Sequence, residues 1–133
     1  MIDAVEGRSD DRIFFLDGPA GTGKTFLYNT LISYLRGQNK TVLASAFTGI
    51  AGNLLKGGTT VNSMFGIPLV VDKNTVSTIR HGTKKAEEIL QSDVALIDEA
   101  SMIPGVSLEV INKLLKDLTG NPAPFGGKII LLG

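Results

Sequence analysis

Two short stretches hold the residue types that phosphate chemistry needs. Residues 18–25, GPAGTGKT, fill the spacing G-x-x-x-x-G-K-[ST], with an apolar run before them and helical periodicity after them. Glycines at 18, 21 and 23 let the backbone turn with its N–H groups pointing inward, which makes a nest for phosphate oxygens. A helix opening near Lys24 adds its unsatisfied amides and the positive end of its dipole. The pattern therefore assigns Gly18, Pro19, Ala20, Gly21, Thr22, Gly23, Lys24 and Thr25 to nucleotide binding. In that arrangement Lys24 reaches the β- and γ-phosphates of ATP, and the Thr25 hydroxyl ligates Mg²⁺. The plainer alternative is an ordinary glycine-rich turn between a strand and a helix, against which the completeness of the pattern weighs.

The second stretch is DVALIDEA, residues 93–100, where Asp98 and Glu99 follow four apolar residues. Charges avoid buried strand ends unless they are paired or functional. Beside a phosphate nest, Asp98 is expected to hold the metal through water and Glu99 to act as general base or to position the attacking water. The alternative is a solvated acidic turn capping the helix that follows. A carboxylate directly after the metal aspartate favours an ATPase that hydrolyses with water over a small-molecule kinase, which places its base on the substrate side. Lys24 and Glu99 are thus the expected catalytic pair, with Thr25 and Asp98 on the metal.

The elements that must position these residues alternate. Residues 12–17 read as a buried strand, and residues 24–36 as a helix with Phe26, Leu27, Leu31, Ile32 and Leu35 at helical spacing and Gly37 at its end. Residues 40–46 form the next strand, and residues 48–58 a short helix opening after Thr48 and closing at Gly57 and Gly58. Residues 59–74 fit no simple pattern, and Pro68 argues against a central strand there. A helix at 83–92, a strand at 93–100, a helix at 105–120 ended by a glycine, a loop at 121–127 and a strand at 128–132 complete the chain. Strands alternating with helices imply right-handed crossovers and an α/β fold, a parallel sheet covered on both faces. Ligands of such sheets bind beyond the carboxyl ends of the strands. The glycine turn, Thr48 and the acidic pair all fall at those ends.

Composition narrows the classes. Hydrophobic residues make up 43% and charged residues 20%, which suits one globular domain rather than a disordered chain. Sixteen glycines in 133 residues exceed the usual share of about 7%, so several close backbone approaches are expected. Without cysteine there are no disulfides, thiolate metal sites or cysteine nucleophiles, a composition that fits a reducing compartment. Thirteen basic and thirteen acidic residues cancel, so any nucleic-acid site must be local. No apolar run approaches the roughly 18 residues of a membrane span, and MIDAVEGRSDDR lacks the apolar core of a signal peptide. His81, the single histidine, stands in a polar loop, and Lys84, Lys85, Glu87 and Glu88 read as a solvated helix face. Tyr28 and Tyr34 read as packing residues.

With those residues placed, the chain resembles the petite-integration-frequency (Pif) type DNA helicases of superfamily 1B, including the helicase region of Helitron transposons. The stretches that carry the resemblance are FFLDGPAGTGKTFLYNTL, TGIAGNLLKGGTTVNSMFGIP, LIDEASM and FGGKIILLG. They follow the order of that family's motif I, motif Ia with its extension, motif II and the approach to motif III, over about residues 13–133. The resemblance implies a RecA-like P-loop fold and an ATP- and Mg²⁺-dependent enzyme that moves 5′ to 3′ on single-stranded DNA, with roles in replication, repair, recombination and telomere maintenance. It further implies an intracellular location, nuclear or mitochondrial in a eukaryote. It also implies that Thr48 and Gly49, together with Thr60, Asn62 and Ser63 of TTVNS, lie against the DNA backbone. Small residues and the hydroxyls of Thr48, Thr59, Thr60 and Ser63 can hold phosphates without reading sequence. Phe65 stacks on a base or, as is commoner for such an aromatic, packs in the core.

Departures from the family pattern set further expectations. Asn62–Ser63 stands where the family usually has His-Ser, which keeps a hydrogen-bond donor but no charge. Ala51–Gly52 replaces a more usual pair of alanines, and glycine lowers helix propensity by up to about 1 kcal/mol. The family's adenine-reading glutamine segment is not found in MIDAVEGRSDDR. Beyond LLG the family continues into a Gly-Asp-x-x-Gln sensor and a second motor domain bearing an arginine for the ATP site. Residues 1–133 are accordingly expected to form a single, partial RecA-like domain, with apolar surface at its unfinished sheet, that hydrolyses ATP slowly or not at all and does not unwind. The competing readings are a nucleotide-binding remnant of a truncated gene or decayed transposon, and a small nucleotide kinase. The latter is weakened by the acidic pair and by a total of four arginines, Arg8, Arg12, Arg36 and Arg80.

Overall fold

The computed structural model describes residues 2–5, 7, 10–16 and 22–133, with Ile2, Asp3 and Thr22 described at the backbone. Five parallel strands form one sheet: β1 (Ile13–Phe15), β2 (Val42–Ala46), β3 (Thr59–Thr60), β4 (Val94–Asp98) and β5 (Ile129–Leu132). Their spatial order is β1-β5-β4-β2-β3. The helices are α1 (Ile2–Val5), α2 (Thr22–Gly37), α3 (Gly49–Leu54), α4 (Val61–Phe65), α5 (Lys84–Gln91) and α6 (Gly105–Thr119). No helix among the described residues is long and apolar enough to cross a membrane.

Strand periodicity builds both layers of the core. Successive side chains point to opposite faces, so Val94 and Leu96 of β4 and Ile129 and Leu131 of β5 meet Tyr28, Ile32 and Leu35 of α2. Their alternates, Ala95, Ile97, Ile130 and Leu132, meet Val110, Ile111, Leu114 and Leu115 of α6 and Ala86 and Ile89 of α5. All five residues of β4 are buried, as a strand covered on both faces requires. Full burial of a side chain such as Ile97 contributes about 1.5–3 kcal/mol. The expected α/β architecture with helices on both faces is the one observed.

Boundaries moved where single residues leave the regular backbone. The strand expected at 93–100 stops at Asp98, because Glu99 takes the left-handed conformation (φ 59, ψ 35) and breaks the ladder. Helix α2 runs through Gly37, and Asn39 (φ 61) supplies the left-handed residue after it. Gly120 (φ 67) ends α6 as expected. Within the ambiguous 59–74 stretch, β3 passes directly into α4, whose left-handed cap is Gly66. Ser77, itself buried, ties the following loop back by donating to the Phe65 carbonyl at 2.6 Å. The expected loop before β5 contains a tight turn, Pro124–Gly127, in which Phe125 (φ 52) and Gly126 (φ 63) take left-handed backbone.

Gly52 is explained by the same packing. A Cβ there would lie 2.7 Å from the Thr59 carbonyl oxygen and 2.8 Å from its carbon. The propensity cost in α3 is offset by a close crossing over β3 that a second alanine forbids. The edge strand β1 leaves Phe15 exposed, and Phe26 and Leu27 of α2 are exposed as well.

Candidate active site at the strand ends

Parallel pairing brings the expected residues to one edge. Asp98 is the register partner of Ala46, and Ala46 of Thr60, so the carboxyl ends of β4, β2 and β3 lie side by side. On the other side Leu132 pairs with Ile97 and Phe15 with Leu132. An open cleft of about 780 Å³ lies at this edge, lined among others by Lys24, Thr25, Asp98, Glu99 and Gly133. Gly18, Pro19, Ala20 and Gly21 of the glycine turn lie outside the described residues. Thr22, Gly23, Lys24 and Thr25 form the first turn of α2.

The lysine and the aspartate face each other across the cleft, with Lys24 Nζ 3.5 Å from Asp98 Oδ1 and both side chains largely buried. Asp98 Oδ1 also accepts the Glu99 N–H at 2.8 Å. The two charges therefore answer each other in a partly desolvated place, where an unpaired charge would be costly.

Tyr28 lies one helical turn beyond Lys24 and closes the floor of the site. Residues at i and i+4 share a helix face, and the Lys24 ammonium sits 5.7 Å from the centre of the Tyr28 ring, within cation–π range. The ring is fully buried, and its hydroxyl has no hydrogen-bond partner among the described residues. Burial, and then the neighbouring Asp98 charge, push the phenol's pKa well above the usual tyrosine range. Gly133 makes room for that hydroxyl, since a Cβ there would meet the Tyr28 oxygen and stand 3.1 Å from Lys24 Cε. Tyr28 packs, as expected, and its four-residue spacing from Lys24 is the signal in the sequence that also places it under the site. Tyr34, by contrast, is exposed.

Glu99 turns away from the strand on its left-handed backbone. Its Oε1 accepts two hydrogen bonds from Thr48, one from the N–H and one from the hydroxyl, each 2.9 Å long. Thr48 also caps α3, its Oγ1 accepting the Ala51 N–H at 3.3 Å. The acidic pair thus divides: Asp98 faces Lys24, and Glu99 faces the end of β2.

The residues expected to meet DNA gather beside this contact. Gly49 approaches the Thr60 methyl, to which a Cβ would stand 3.9 Å away. Thr60 caps α4 by accepting the Ser63 N–H at 3.1 Å, and Asn62 and Ser63 occupy the first turn of that helix. Phe65 is fully buried in the core, so the stacking alternative is lost and packing is what it does. His81 is exposed and pairs with Asp117 at 3.2 Å, away from the cleft. Lys84, Lys85, Glu87 and Glu88 are exposed on α5, as expected.

The donor set fits a hard divalent cation shared with a phosphate. No cluster of three or more acidic or histidine side chains exists among the described residues. Mg²⁺ needs none, because it keeps its waters and takes one or two protein oxygens beside substrate phosphates. Asp98 already receives a cationic group, the Lys24 ammonium, and the Thr25 hydroxyl lines the same cleft.

The family model for PIF1-like helicases matches residues 1–133. Among curated relatives, the ATP-dependent DNA helicase Pif1 of Psychrobacter is 35% identical over 123 residues, covering 90% of this chain and 18% of its own length. The ATP-dependent DNA helicase PIF1 of Candida albicans is 37% identical over 116 residues, covering 85% and 13%. The chain therefore spans less than a fifth of the length of these two relatives. Among solved structures, the Pif1 helicase from Bacteroides in complex with ADP-AlF3 and ssDNA superposes with a TM-score of 0.80 at 30% identity, covering 96% of this chain and 29% of that one. The Pif1 helicase from Candida albicans gives a TM-score of 0.78 at 32% identity, covering 97% and 30%.

Proposed function

Because this chain belongs to the PIF1-like helicase family, we propose that it is the ATP-binding part of a DNA helicase motor, coupling ATP hydrolysis to 5′–3′ movement along single-stranded DNA in repair, recombination and telomere maintenance. In this reading residues 1–133 are a part of the first RecA-like lobe, and a second lobe supplies the closure and the arginine that full turnover needs. The observation that carries the reading is the meeting of Lys24 and Asp98 at 3.5 Å, in one cleft at the strand ends, with Glu99 one residue on.

Each side chain has a role in the chemistry. Lys24 neutralises the β- and γ-phosphate oxygens, exchanging the Asp98 carboxylate for phosphate when nucleotide enters. Thr25 and Asp98 hold Mg²⁺, which supplies charge neutralisation at the phosphoryl group. Glu99 orients the attacking water and accepts its proton. Gly18, Ala20, Gly21, Thr22 and Gly23 supply backbone N–H groups to the phosphates, and Pro19, which has no N–H to give, belongs to the same stretch by sequence alone. Gly49, Thr60, Asn62 and Ser63 hold the phosphate backbone of DNA with no base readout required, while Thr48, expected beside them, has both its donors on Glu99.

Titration of the purified chain with a fluorescent ATP analogue and Mg²⁺ tests this reading. Lys24→Ala removes charge-assisted hydrogen bonds worth about 1.5–3 kcal/mol, so binding weakens about ten- to hundredfold. Equal affinity in both proteins refutes the phosphate cradle. Single-stranded DNA binding measured at several salt concentrations tests the second face, since phosphate contacts weaken as salt rises.

A further inference from the structure

The Glu99 carboxylate is held from one side by a single residue. Thr48 places two donors on Oε1, at 2.9 Å each, while Oε2 has no hydrogen-bond donor among the described residues. A threonine hydroxyl has one proton and two lone pairs. The Ala51 N–H occupies a lone pair, and the proton goes to Glu99.

The support behind Thr48 is itself tied down. The Asn29 side chain of α2 donates to the Leu54 carbonyl and accepts from the Lys56 N–H, both at 2.9 Å. Arg36 donates to the Lys56 carbonyl at 3.0 Å. Gly52 seats α3 against the Thr59 backbone. Helix α2 and strand β3 therefore hold α3, α3 holds Thr48, and Thr48 holds Glu99.

Glu99 needs such a hold. Its backbone sits in the left-handed region, which a non-glycine residue adopts at a cost unless its surroundings demand it. A glutamate side chain has three rotatable bonds, and a base that acts on one water must have them settled beforehand.

We infer that Thr48 is the positioning residue for the hydrolytic carboxylate: its two donors fix Oε1, which leaves Oε2 as the oxygen that meets the attacking water. This inference rests on the hydrolytic role proposed for Glu99. It separates Thr48 from the metal and phosphate ligands, because its loss changes the chemical step and leaves nucleotide affinity in place.

The test is single-turnover hydrolysis, with the purified chain in excess over γ-labelled ATP and Mg²⁺, so that slow rates are read directly. Affinity is read in parallel with a fluorescent ATP analogue. Thr48→Val keeps the shape and removes the hydroxyl; it should slow hydrolysis about ten- to hundredfold and change affinity less than about twofold. Thr48→Ser, which keeps the hydroxyl, should stay within about threefold of the parent rate. Thr48→Asp keeps a good helix cap but repels Glu99, so it should slow hydrolysis at least as much as T48V, and it serves if T48V does not fold. Glu99→Gln should slow hydrolysis further, and T48V added to E99Q should cost nothing more.

Parent-like rates in T48V or T48D overturn the inference, as does a further loss when T48V is added to E99Q. Measurable hydrolysis in the parent chain that is matched by E99Q overturns the hydrolytic role of Glu99 and the inference with it. In that case retained nucleotide affinity shows that the phosphate cradle still stands.

Discussion

Substituting Gly52 by alanine sets two physical effects against each other, and the structure decides between them. Helix propensity favours alanine by up to about 1 kcal/mol. Packing opposes it, since the added Cβ would lie 2.7 Å and 2.8 Å from the Thr59 carbonyl oxygen and carbon, well inside ordinary contact. Both atoms are backbone, and β3 is paired to β2, so Thr59 cannot swing aside as a flexible side chain would. On the other side α3 is tied to α2 through Asn29 and Arg36. Overpacking of this kind costs about 1–3 kcal/mol, leaving a net destabilisation of up to about 2 kcal/mol once the full propensity gain of about 1 kcal/mol is subtracted. Urea unfolding followed by circular dichroism reads it as a lowered midpoint at unchanged slope. Gly37→Ala is the matched control: it lies in α2, nothing stands within 4 Å of its added Cβ, and it should gain about 0.4–1 kcal/mol. A Gly52→Ala midpoint at or above that of the parent refutes the close crossing of α3 and β3, and with it the clamp behind Thr48.

Three further outcomes are expected. Tyr28→Phe removes a buried hydroxyl that lies beside the Asp98 carboxylate, and should shift stability by less than about 1.5 kcal/mol in the same assay at neutral pH; a larger loss counts against a hydroxyl without a close hydrogen bond. The folded chain keeps Tyr28 neutral while the unfolded chain ionises it near the ordinary value of 10.0, so the folded state binds more protons and stability falls as pH rises past that value. Lys128 acts in the opposite sense, since burial lowers its pKa and stability rises between that lowered value and 10.5; comparing the parent with Tyr28→Phe isolates the tyrosine, and parallel alkaline profiles refute its part. Asp98→Asn should abolish most of the difference between nucleotide affinity with Mg²⁺ and with a chelator, and an undiminished difference refutes Asp98 as the metal ligand.

How far the site was legible depends on how local its causes are. The helix that opens at Thr22–Thr25 and the strand-end position of Asp98 could be read directly, because both are set by neighbours in the chain. The same holds for the layers of the core, since the two-residue period of VALID and IILL sorts side chains to opposite faces wherever the sheet is covered on both sides. The division of labour in the acidic pair was not legible. That Asp98 faces Lys24 while Glu99 faces Thr48 follows from one left-handed residue and from the adjacency of β4 and β2, a pairing between residues 51 positions apart. Nor was the reason for Gly52, which is cheap or costly only according to what crosses it.

Residue types and spacing by themselves determined that this chain has a parallel sheet, a G-x-x-x-x-G-K-[ST] run leading into a helix and a carboxylate pair at a strand end, because each of those is a matter of short-range pattern along the chain. Tertiary structure alone decided which groups touch: Lys24 with Asp98, the Tyr28 ring beneath both, Gly133 yielding space to its hydroxyl, and Thr48 reaching Glu99. Those contacts depend on strand order, and strand order is set by how the whole set of apolar faces is buried at once, a condition that no window of neighbouring residues contains.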